Sequence, residues 1–148
     1  MHIEVDQSGK IEQMSWDTVL AFSDHIHRAI LISAKVKRTC QQELRARGVK
    51  PGMITARMFV AGVFLLLEDH LETIARVTID LEYYGREGEI KGLLLRLIRQ
   101  RVPDFQGEAI SFEQVGKGAL AHSLAWLTRR GKRRPDKLVT VEELLRFC

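Results

Sequence analysis

Val77, Ile79 and Leu81 alternate with Arg76, Thr78, Asp80 and Glu82. A two-residue period of this kind belongs to a strand with one buried face. Asp80 and Glu82 therefore fall on the same face at the strand's end, just ahead of a turn at Gly85. The N-terminus repeats the arrangement, since Ile3 and Val5 alternate with Glu4 and Asp6, and Gln7-Ser-Gly9 follows. Neighbouring carboxylates repel unless a cation sits between them. Two strands that both end in acids can be neighbours that form a metal-binding pair. Oxygens on one shared ion, with bonds of about 2.0–2.6 Å, lie within about 4–5 Å of each other, so a separation above about 10 Å would exclude a site.

The remaining elements follow from local patterns. Residues 2–6 read as strand one, with Asp6-Gln-Ser-Gly-Lys10 as the turn after it. Strand two is Asp17-Thr-Val-Leu-Ala-Phe-Ser23 and strand three Arg28-Ala-Ile-Leu-Ile-Ser33. The link between them is short enough for an antiparallel hairpin. Residues 35–47 form a polar helix ended by Gly48. A long helix runs from about Thr55 to about Thr73, and its first half is apolar nearly all round, the mark of a buried central helix. After the strand that ends in Asp80 come an amphipathic helix over 89–99, a fifth strand over 109–115 and a helix over 119–128. Thr140-Val-Glu-Glu143 is a capping box that opens a short last helix to Cys148. The order β-β-β-α-(α)-β-α-β-α predicts an α/β fold: a mixed five-stranded sheet, a three-strand antiparallel meander and then alternating α/β, with helices packed on it. The 148 residues read as a single domain, with a core over about 1–131 and a basic segment and short helix over 129–148.

Composition narrows the setting. Two cysteines, Cys40 and Cys148, have no framework or CxxC spacing, which points to a reducing, cytoplasmic compartment and away from a structural zinc. The N-terminus does not read as a signal peptide. The longest apolar run, Met58 to Leu67, is about half of what a bilayer span needs, so a soluble protein without a membrane partner is expected. Net charge is +4, but Arg129-Arg-Gly-Lys-Arg-Arg134 concentrates it. Such a run suits a phosphate backbone, or else is a solvated tail. His25 and His27 lack a third ligand for zinc. Gly116-Lys-Gly118 is too short for a Walker loop, though Lys117 could touch a phosphate. Neither Ser8 nor Ser33 has a nucleophile-elbow context. Tyr83 and Tyr84 either pack or stack a base.

The alternation after the long helix makes the Asp80 strand parallel to strand one, which sets Asp6 and Asp80 side by side at the carboxyl ends. Hard oxygen ligands there suit Mg²⁺ or Mn²⁺. His122, near the start of the helix after strand five, could ligate a metal or handle a proton, or could simply be packed. This order, with an acid in strand one before a Gly-containing turn, an acid ending strand four and a His on the last helix, resembles the ribonuclease H-like superfamily. That superfamily includes ribonuclease H, Holliday-junction resolvases, integrases and Piwi nucleases. Asp6-Gln-Ser-Gly9 is also similar to the Asp-Glu-Ser-Gly turn of one uncharacterised group within it. The resemblance covers about residues 1–131 and implies a Mg²⁺- or Mn²⁺-dependent nuclease, with Asp6 and Asp80 bridging the metals. His122 would take the last-helix position, where a His is also compatible with the Piwi pattern.

The family usually offers a Glu from the helix before strand four. The corresponding position in this chain falls near Ala61 and Gly62, with no acid, while Glu68 and Glu72 lie too near the turn. Glu82 or Glu43 then fills the role, or the chain is a non-catalytic ribonuclease H-like module that binds nucleic acid or protein. The implied phosphate-gripping residues are Lys35, Lys37, Lys117, Arg129, Arg130, Lys132, Arg133 and Arg134. A separate expectation is a homo-oligomer formed through Leu144, Leu145 and Phe147 of the last helix.

Overall fold

The computed structural model describes residues 1–116 and 118–148. In chain order the elements are β1 (His2–Ser8), β2 (Thr18–Ser23), β3 (His27–Ile32), α1 (Ala34–Ala46), α2 (Pro51–Leu67), β4 (Arg76–Asp80), α3 (Glu87–Arg99), β5 (Ile110–Glu113), α4 (Leu120–Arg129), β6 (Lys137–Leu138) and α5 (Val141–Phe147). Single 3-10 segments, Glu68–Thr73 and Gly107–Ala109, precede β4 and β5.

The strands form one mixed sheet in the order β5-β4-β1-β2-β3-β6. The pairs β1–β2 and β2–β3 are antiparallel, whereas β1–β4, β4–β5 and β3–β6 are parallel. The expected meander and alternation are both present, but the sheet has six strands rather than five. The sixth comes from the basic segment, where Arg133, Arg134 and Pro135 gave no alternating pattern. Asp136 supplies the anchor: its carboxylate accepts from the Ala29 amide at 2.8 Å and its own amide donates to the Ala29 carbonyl at 2.8 Å. The segment is therefore stitched to the β3 edge and is not a solvated tail.

Period-two alternation sorts the sheet into two faces. Ile3, Val5, Leu20, Phe22, Ile30, Ile32, Val77 and Ile79 face α2, whose apolar residues fill the main core. The opposite face carries small residues, Val19, Ala21 and Ala29, which let α4 approach closely through Ala125. α2 begins earlier than expected, with Pro51 in its first turn, a position where the missing N–H costs nothing. It gives way at Glu68 to the 3-10 segment. Gly62 sits where a Cβ would come within 2.7 Å of Leu20 Cδ1, so helix and sheet are in direct backbone-to-side-chain contact there. The α5 capping box is present, with Thr140 and Glu143 reciprocally bonded. Leu144 is fully buried, and the Phe147 ring meets Phe64 of α2 edge-on at 4.7 Å.

Candidate metal centre

β1 runs two residues further than expected, to Ser8, so Asp6 lies inside the strand, opposite Ala21 of β2. It shares the α4 side of the sheet with Ala21, and it is only 3% exposed. In the parallel register of β1 with β4, Val5 pairs with Ile79, which brings Asp80 beside Asp6. Glu82, two residues past the end of β4, closes the group. One carboxylate oxygen from each of Asp6, Asp80 and Glu82 lies within 4.8 Å of the others. That matches the spacing expected for acids on a shared ion, and the three form a carboxylate triad able to bind a metal ion.

Each acid is held by defined partners. Asp6 Oδ1 accepts from the Gln7 amide at 2.8 Å and Oδ2 from His122 Nδ1 at 2.9 Å. A carboxylate only accepts, so the geometry places the proton on Nδ1 and leaves Nε2 as the second functional nitrogen of the ring. Asp80 Oδ1 accepts from the Val115 amide at 2.8 Å, which ties it to the segment following β5. Glu82 Oε2 accepts from Gln7 Nε2 at 2.8 Å. The same Gln7 nitrogen donates to the Tyr83 hydroxyl at 2.8 Å, and that hydroxyl donates to Glu12 Oε1 at 3.0 Å. Tyr83 in turn packs edge-on against Phe59 of α2, with ring centroids 5.1 Å apart.

The electrostatics follow from crowding three acids into a half-dry corner. Burial pushes the Asp6 carboxyl above its ordinary value; the His122 hydrogen bond opposes this and the charge of Asp80 adds to it. Glu82 is pushed up to about 7, first by burial; the Gln7 hydrogen bond pulls it down, and Asp80 and Asp6 raise it further. Among the described residues, no Lys or Arg forms an ion pair with any of the three acids. Gln7 Oε1 is buried and, among the described residues, has no hydrogen-bond partner, leaving a neutral oxygen unused beside the acids. A hard, oxygen-only donor set with mutual repulsion of this kind could hold a metal ion.

The other candidates fall elsewhere. Glu43 lies on the exposed side of α1 and pairs with Arg47 at 3.1 Å, outside the triad. The position near Ala61 and Gly62 faces the core and carries no acid. Lys37 is fully buried, 0% exposed. Its Nζ donates to the Gln13 carbonyl at 2.7 Å and to Thr18 Oγ1 at 2.9 Å, with the Lys10 carbonyl at 3.4 Å. It clamps the β1–β2 connection and has no surface to offer a phosphate. Lys35 is exposed on α1, and Lys117 lies outside the described residues.

The basic run is accompanied by tryptophans. Arg129 lies over Trp16 at 5.2 Å, and Arg130 and Lys132 lie over Trp126 at 5.0 and 6.0 Å. Trp16 and Trp126 are 49% and 41% exposed. Arg133 pairs with Asp136 at 3.2 Å, and Arg134 is exposed. Trp126 is one helical turn beyond His122 on α4, an axial distance of about 6 Å. Sequence reasoning did not single out Gln7 or either tryptophan. For Gln7 the signal was a polar residue in phase with Ile3 and Val5 on the apolar face of a strand.

The strand order β3-β2-β1-β4-β5, with helices on both faces and acids toward the carboxyl end of β1 and at the end of β4, is consistent with the ribonuclease H-like topology. Comparison with protein-family models, with curated proteins and with solved structures finds no match to this chain.

Proposed function

We propose that this chain is a ribonuclease H-like, divalent-metal-dependent nuclease that acts in the cytoplasm and hydrolyses nucleic-acid phosphodiesters. The observation that carries the reading is the meeting of Asp6, Asp80 and Glu82 oxygens within 4.8 Å at adjacent parallel strand ends. Asp6, Asp80 and Glu82 would hold Mg²⁺ or Mn²⁺, and such an ion neutralises phosphate charge and lowers the pKa of a bound water. His122 holds Asp6 Oδ2 and so fixes the orientation of that carboxylate. Gln7 does the same for Glu82. Trp126 with Arg130 and Lys132, and Trp16 with Arg129, provide aromatic faces flanked by cations. Such faces hold bases and backbone together and give salt-dependent binding.

Incubation of the purified chain with single- and double-stranded DNA and RNA plus Mn²⁺ tests the reading, with Asp80→Asn as the control. Cleavage by the wild type and none by the variant is the expected result. No cleavage, or equal cleavage by Asp80→Asn, overturns it.

One observation favours a second reading, a nucleic-acid-binding module without chemistry: α2 carries Ala61 and Gly62, and no acid, at the position where the ribonuclease H-like superfamily usually offers a Glu. That reading expects binding indifferent to Mn²⁺, so calorimetric titration of the metal, with and without oligonucleotide, separates the two. Association of two copies through α5 is read by sedimentation of the full chain, and it would have to use the parts of that helix that Leu144 and Phe147 leave uncovered.

A further inference from the structure

We propose that the cleft between α2, α3 and α5 is a second binding site, for an amphiphilic organic anion with an acidic head on an apolar body. The cleft encloses about 510 Å³, within the range of about 300–1,000 Å³ typical of small-molecule sites. Each helix contributes one guanidinium and part of an apolar wall. α2 supplies Arg57 and Val60, α3 supplies Arg96 between Leu93 and Leu97, and α5 supplies Arg146 and Phe147. The spacings 57/60 and 93/96/97 are those that put residues on one helix face, so the sequence itself aligns charge and apolar wall.

Two observations point to an anionic occupant. No Asp or Glu lines the cleft, and among the described residues none of the three arginines pairs with an acidic side chain. Like charges around one concavity repel, and its low-dielectric walls focus their field on whatever enters. In addition, Arg57 Nε is buried and, among the described residues, has no acceptor, while its Nη1 donates to the main-chain oxygen of Cys148, the last residue of the chain, at 3.4 Å. A buried donor left unpaired is costly and calls for a partner. The apolar residues define the rest of the ligand, because an inorganic ion would leave Val60, Leu93, Leu97 and Phe147 uncovered. α2 lies on the opposite face of the sheet from Asp6 and α4, so this site stands independently of the metal centre.

The full chain titrated with 1-anilinonaphthalene-8-sulfonate, by fluorescence and calorimetry, tests the proposal. Saturable binding of one probe per chain is expected, and Arg96→Ala and Arg146→Ala should each raise Kd about tenfold. Both arginines are exposed, and circular dichroism melts verify that the variants are folded. Leu93→Glu, which puts a carboxylate in the wall, should abolish binding. Asp80→Asn should leave it unchanged. Equal affinity for the uncharged analogue N-phenyl-1-naphthylamine, non-saturating binding, or an unaltered Kd in the Arg96→Ala/Arg146→Ala double variant would overturn the proposal.

Discussion

Replacing Glu82 with Gln probes the carboxylate triad without any substrate. Glu82 is raised from 4.5 to about 7, by burial first and then by its acidic neighbours. A carboxyl with a raised folded-state pKa holds its proton more tightly when folded than when unfolded. Its contribution to stability is therefore complete below about 4.5 and is lost as pH rises through about 7. The shift converts to about 3 kcal/mol at most, and partial solvent screening brings it toward about 2 kcal/mol. Metal-free protein is expected to lose about that much unfolding free energy in urea between about pH 4.5 and about pH 7.5. Gln at position 82 cannot titrate, yet it keeps an oxygen to accept from Gln7. The variant should be the more stable protein at about pH 7.5, with only the Asp6 part of the slope remaining. Mn²⁺ should work in the opposite direction: at a hundred times its Kd it adds about 2.7 kcal/mol to the wild type, and less to Glu82→Gln at the same concentration. A wild-type stability that is flat across the window, or an equal slope in the variant, would refute the idea of a crowded, mutually repelling triad.

Further outcomes are expected. Asp80→Asn should remove Mn²⁺-dependent cleavage while leaving the salt-dependent binding of oligonucleotides intact, as read by gel shift beside an activity assay. Burial lowers the Lys37 ammonium from 10.5 to about 8, so the unfolded chain binds more protons between those values and stability should rise with pH across them. Lys37→Met should flatten that rise, while orphaning the Gln13 carbonyl costs about 1–3 kcal/mol in urea melts. Gly9 has φ 75° and a Cβ there would meet the Asp17 carbonyl oxygen at 2.2 Å, whereas Gly48 at φ 83° has open space; Gly9→Ala should therefore destabilise well beyond the roughly 1–2 kcal/mol of left-handed strain expected for Gly48→Ala. Trp126→Ala should weaken single-stranded oligonucleotide binding by about 1–3 kcal/mol, and Arg130→Gln should reduce the salt slope by about 0.7.

What could be read from the sequence was what repeats locally. The alternation around Val77–Ile79 and Ile3–Val5 predicted two acids side by side on neighbouring strands, and the β1–β4 register brings them together, with Asp6 inside β1 rather than at its end. The capping box of α5 was equally legible, because both of its partners are three residues apart. The contacts that orient the acids were not. Gln7 meets Glu82 across 75 positions and His122 meets Asp6 across 116, and no pattern within a window of a dozen residues encodes such a pairing. Lys37 misled because the ordinary fate of a lysine in a polar helix is exposure. Only the fold reveals two backbone carbonyls and a threonine hydroxyl converging to receive it. β6 was missed because two residues are too few to alternate, and its anchor is an aspartate bonding to a strand more than a hundred positions earlier.

The position of β1 in the sheet has a consequence for how the chain comes into being. β1 is made before the elements that surround it, yet it is flanked by β4 and touched by α4, both of which arrive much later. Synthesis proceeds at about 5–20 residues per second, so Asp6 waits several seconds for Asp80, Glu82 and His122. An incomplete chain can close the β1–β2–β3 meander by local contacts, but it has only one of the three acids and no centre. Pairing across such separations is the slow part of folding, and the carboxylates are brought into mutual repulsion at that step, where divalent cation can first assist. Any reactivity of the site is thus withheld until the chain has been made through α4, and refolding rates should respond to Mn²⁺ only after the meander has formed.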